Sequence, residues 1–120
     1  MEGQNRGDVL LAPDPYPEKS GWRPFAIVSD VTYPFHPDGS LGVPVTTNNR
    51  PNTVMIPESE IEQELAGLDV KPSFLNPYSP TQINETGRKL CVVSNQLMDR
   101  VAMDIAHAVG LGRERQEVEL

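Results

Sequence analysis

A chain of 120 residues carrying 10 basic and 17 acidic side chains, for a formal net charge of −7, has room for one domain with a modest core. It lacks the general cationic surplus with which proteins neutralise phosphates along a nucleic acid. No apolar run approaches the ~20 residues that span a bilayer, and the polar start Met1-Glu2-Gly3-Gln4-Asn5-Arg6 has no signal-peptide core, so a cytoplasmic protein is expected.

Cys91, the one cysteine, rules out an internal disulfide and a cysteine-rich zinc site. Within Leu90-Cys91-Val92-Val93 it reads as a buried, inert thiol.

Twelve prolines and nine glycines cut the chain into short runs. Residues 8–12 read as a first strand behind Arg6-Gly7. The loop that follows, 13–21, holds three prolines and cannot join a regular ladder. Arg23 to Ser29 is an apolar second strand, and the loop 30–40 carries the Asp38-Gly39 turn signal. Leu41 to Thr47 is a third strand and Thr53 to Ile56 a fourth.

Pro57 to Leu65 is expected to form a short helix, because Ser59 and Glu62 match a capping box and its carboxylates suit a helix start. Ser73 to Tyr78 reads as extended, 79–87 as a polar loop and Lys89 to Val93 as a strand. A last helix, capped by Ser94 or Asn95, carries an apolar stripe of Leu97, Val101, Ile105 and Ala108, flanked by Met98, Ala102 and Val109. Gly110 and Gly112 end it. The expected fold is mainly β, a small SH3-like barrel of five to six strands plugged by the C-terminal helix. Its domain covers 1–112, and 113–120 is a charged, flexible tail.

The chemistry centres on two strand ends. Gly21-Trp22-Arg23-Pro24 opens the second strand and Val45-Thr46-Thr47-Asn48 closes the third. A guanidinium offers a planar fork of donors matched to phosphate oxygens, and a threonine hydroxyl adds a neutral one. Taken singly, Arg23 also fits a structural role at a strand entrance, and Thr46 and Thr47 fit plain strand propensity.

Other constellations are weaker. His36 lies in a proline-rich loop and His107 on the polar face of the last helix, so both read as solvated. Glu58, Glu60, Glu62 and Glu64 read as a solvated acidic face, and no metal or cofactor is expected. Trp22 is a candidate base-stacking platform, followed by Tyr16 and Tyr78. Met103 is a candidate partner contact.

Arg6-Gly7-Asp8-Val9, Gly21-Trp22-Arg23-Pro24 and Val43-Pro44-Val45-Thr46-Thr47-Asn48, in that order and at these distances, resemble the PemK/MazF family of toxins. The match is best over 6–57 and resumes at the late strand and C-terminal helix. The resemblance implies an SH3-like barrel and a homodimer. It also implies a metal-independent endoribonuclease for single-stranded RNA, held in check by an antitoxin that lays an acidic segment over the groove. Arg23 falls at the family's catalytic arginine, Thr46 at its catalytic threonine, and Asn48 where the family often has Gln.

Around that pair, Lys19, Ser20, Trp22, Thr47, Asn48 and Arg50 are the expected RNA contacts, with Arg88-Lys89 adding positive charge nearby. Residues 76–81 stand where the family usually carries a strand with a Gln and a basic residue. The alternative is a barrel without catalysis that acts by protein binding, as the related CcdB proteins do through their C-terminal helix. In that case Met103 and His107 would matter and Arg23 would not.

Overall fold

The computed structural model describes residues 4–15, 21–65 and 73–110. Within them, eight strands and one helix follow the order β1 (Asp8–Pro13), β2 (Trp22–Ile27), β3 (Ser40–Thr46), β4 (Val54–Met55), β5 (Ile61–Glu64), β6 (Phe74–Leu75), β7 (Thr81–Ile83), β8 (Lys89–Val93) and α1 (Asn95–Ala108). The strands form an antiparallel half-barrel in the order β4-β6-β3-β2-β1-β8-β5, with β7 pairing β3 off that path. Mainly β with a C-terminal helix is as expected, but eight strands replace five or six.

Alternation along the strands gives the sheet two apolar faces. Val9, Ala26, Val43 and Val45 lie on one, packed against Leu97, Met98 and Val101 of α1. Leu10, Ala12, Phe25, Ile27 and Ile83 form a smaller cluster on the other. The helix begins where Ser94 accepts the Leu97 N–H at 3.1 Å, while the Ser94 hydroxyl itself donates to the Glu60 carboxylate. Gly110, at φ +103°, follows its last turn. Only the N-terminal half of the stripe is fully covered, for Ala108 and Val109 are exposed.

Two expectations fail. In place of a helix over Pro57–Leu65, one 3-10 turn at Glu58–Glu60 leads directly into β5. A nine-residue helix is marginal by itself, and the free edge of β8 offers better partners: Ile61 pairs Val93, Gln63 pairs Val92 and Glu64 pairs Cys91. Ser59 therefore caps nothing; Pro57 holds the N-cap position without a side-chain bond. The polar loop 79–87 also contains β7, whose Ser40–Ile83, Leu41–Gln82 and Gly42–Thr81 pairs extend the sheet beside β3. The segment 113–120 lies outside the described residues.

Candidate active site

Register brings the arginine and the threonine together. β2 and β3 pair as Ile27–Gly42, Ala26–Val43 and Phe25–Pro44. Two residues further along that register Arg23 faces Thr46, and both side chains leave the sheet on the face opposite α1. Arg23, Pro44, Thr46, Asn48, Arg50, Thr53, Asn76 and Ser79 line one open cavity of about 260 Å³. Among the described residues no carboxylate is part of its lining, so their side chains make a donor-rich pocket with two arginines on a chain whose net charge is −7.

The guanidinium of Arg23 is held on three sides. Its Nη2 donates to the Val45 carbonyl at 3.1 Å. Its Nη1 lies 3.9 Å from Asp14 Oδ2, and the Asp14 side chain is only 9% exposed. Its Cζ stands 5.9 Å from the centre of the Phe25 ring, which shares its face of β2. Asp14 is fixed in turn by its backbone N–H, which donates to Gly21 O at 3.0 Å and clasps the two ends of the intervening loop. With one N–H spent on Val45, several donors remain for a ligand.

Thr46 Oγ1 accepts the Asn48 N–H at 3.1 Å, which leaves its own proton to donate. Thr53 braces the Arg50 backbone from both sides, accepting from its N–H at 3.2 Å and donating to its carbonyl at 2.8 Å.

Of the eight site residues drawn from the sequence, Arg23, Thr46, Asn48 and Arg50 share this cavity. Trp22 and Thr47 are exposed but do not line it. Alternation along β2 turns Trp22 to the other face from Arg23, where its ring lies so close to Gly87 that a Cβ on that glycine would stand 3.2 Å from the ring. Lys19 and Ser20, like Tyr16, lie outside the described residues. Lys89 sits 3.2 Å from Asp8 and is not in the lining. Thr53 escapes the sequence reading, which marks the segment 76–81 through the resemblance but names neither Asn76 nor Ser79 as a contact. Asn76-Pro77 is a turn signal, but only the β3–β6 pairing reveals that the turn borders the site.

No protein-family model matches the sequence, and no curated protein matches it. Solved structures do. An endoribonuclease solved in complex with its cognate antitoxin, from a mycobacterial species, is 23% identical with a TM-score of 0.68, over 95% of this chain and 100% of that one. A MazE–MazF structure from Deinococcus radiodurans is 14% identical with a TM-score of 0.70, over 92% and 100%. The fold is that of MazF. The toxin MazF-mt6 of Mycobacterium tuberculosis, at 20% identity and a TM-score of 0.63, covers 87% of this chain and 97% of its own. The three MazF-fold chains span nearly the whole of this one, so the half-barrel and α1 form one shared unit.

Proposed function

We propose that this chain is the toxin of a type II toxin–antitoxin pair, an endoribonuclease that cuts single-stranded RNA without a metal ion. The observation that carries the proposal is the meeting of Arg23 and Thr46 in one cavity whose described lining is rich in donors and holds no carboxylate. The MazF fold supports it, as does the similarity to proteins solved as endoribonucleases, two of them with antitoxins. An antitoxin partner, a homodimer and a cytoplasmic setting complete the proposal.

The reaction needs no protein nucleophile. The ribose 2′-hydroxyl gives its proton to solvent as its oxygen attacks the adjacent phosphorus, the bond to the 5′-oxygen breaks, that oxygen takes a proton from solvent, and a 2′,3′-cyclic phosphate remains. Charge rises on the non-bridging oxygens in the transition state, where fixed donors gain most. Arg23, aimed by Val45 and Asp14, supplies two parallel donors, and the Thr46 hydroxyl supplies a third. A guanidinium with a pKa above about 12 is not a base at neutral pH, so Arg23 acts by stabilising charge. Asn48 and Arg50 hold the neighbouring nucleotides.

The test is incubation of the purified chain with a mixed single-stranded RNA pool in EDTA, beside Arg23→Ala. Discrete products with cyclic-phosphate ends that vanish in the variant support the proposal. Intact RNA with the unmodified chain overturns it.

A further inference from the structure

The wall formed by Asn76 and Ser79 is hydrogen-bonded within its own turn, and the arginine–threonine chemistry makes no use of it. β6 ends at Leu75, and the Asn76 N–H then donates to the Pro44 carbonyl at 3.0 Å, tying the following turn to β3 two residues before Thr46. Pro77, buried, fills the bend. Ser79 N–H closes the turn on Asn76 O at 3.4 Å, and the Thr81 hydroxyl donates to Ser79 O at 3.2 Å.

The side chains inside this turn have fixed polarity. Asn76 Oδ1 accepts the Tyr78 N–H at 3.1 Å, which turns the amide nitrogen toward Ser79, and Nδ2 donates to Ser79 Oγ at 3.2 Å. With its oxygen accepting from Asn76, the Ser79 hydroxyl presents its proton as a donor. A neutral donor held in one direction adds little to phosphate affinity beside two arginines. It can still distinguish a base edge that carries an acceptor from one that does not, since a wrong base leaves both groups unpaired.

Resting on the ribonuclease reading above, we propose that Ser79 is a sequence-reading residue of this site, donating its hydroxyl proton to an acceptor on a base edge of the RNA next to the cut. Asn76 is its positioning residue. Tyr78, half exposed on the same turn, flanks this contact without entering the cavity lining.

The test is cleavage of a randomised single-stranded RNA pool by the full chain, with every cut site read by sequencing. In Ser79→Ala, preference at one position beside the cut should fall about three- to tenfold, the factor one neutral hydrogen bond supplies. Cutting at the preferred sites should fall by that factor, while sites with the other bases at that position are cut as before. Ser79→Thr keeps the hydroxyl and should restore the preference. Asn76→Asp still accepts from Tyr78 but no longer donates to Ser79, so the serine proton turns to the new carboxylate; its profile should match that of Ser79→Ala. An unchanged profile in Ser79→Ala, with the unmodified chain active, overturns this inference alone. A uniform loss across all sequences also overturns it, since the hydroxyl would then serve the backbone. An unmodified chain that cuts nothing overturns the ribonuclease reading and this inference with it.

Discussion

Arg23 is constrained from several directions, and each constraint predicts a separate effect. The Val45 carbonyl and the Asp14 carboxylate fix where the fork points, so geometry matters here as much as charge. Arg23→Lys keeps the charge but offers a point cation on a flexible stem. Its cleavage rate should fall at least about tenfold, since a hydrogen bond from a charged group contributes roughly 1.5–3 kcal/mol. A lysine variant with the native rate would show that charge alone suffices and would remove the fork from the mechanism. Thr46 makes the same argument with a neutral group. Thr46→Val removes the hydroxyl at nearly constant volume and should slow cleavage by about three- to tenfold, while Thr46→Ser should stay close to native. Equal rates in the two variants would exclude the hydroxyl as a donor. Single-turnover kinetics on one RNA, with circular dichroism to confirm folding, measures all three.

At the scale of elements, the junction of β1, β8 and α1 holds the half-barrel together. Gly7 stands there at φ +95°, and a Cβ on it would lie 2.6 Å from the Val93 carbonyl oxygen. That backbone is also spoken for, because Gly7 N–H donates to Ile27 O and Val93 N–H donates to Gly7 O, each at 2.8 Å. Gly7→Ala should therefore destabilise the fold by more than about 1 kcal/mol, through both φ and the clash. Met98, fully buried where α1 meets the sheet, should cost about 2–5 kcal/mol as alanine. Urea denaturation reads both, and an unchanged midpoint in either variant contradicts the packing described. The contrast between α1 and β5 shows what a single sequence can reveal. α1 carries its own evidence, a serine cap and an apolar stripe at helical spacing, and Lys89 to Val93 is continuous enough to read as a strand. β5 has only alternating carboxylates, and what makes it a strand is the open edge of β8. β7, three residues long, pairs with β3 for the same non-local reason.

Across the whole molecule, the candidate site divides along the same line. Arg23 and Thr46 lie at the ends of two strands adjacent in sequence, and Asn48 and Arg50 follow in the same segment, so their grouping is legible from order and spacing. Asn76 and Ser79 arrive through the β3–β6 pairing, from outside the segment that holds the other four, and no local pattern places them at the site. The net charge of −7 then sets how RNA can bind. Among the described residues, the cavity lining holds two cations, Arg23 and Arg50, so the electrostatic contact is confined to about two phosphates. For a single strand, log K falls with log salt by roughly 0.7 per phosphate neutralised, which predicts a slope near −1.4 for two phosphates. Arg50→Ala should bring that slope to about −0.7, with weaker binding at every salt concentration. Fluorescence anisotropy of a short labelled RNA whose ribose at the cut lacks the 2′-hydroxyl, titrated at several salt concentrations, measures both without turnover. A slope several times steeper would place the RNA on cations outside the cavity. Binding indifferent to salt would mean that no phosphate is held, and the donor-lined cavity would lose its proposed ligand.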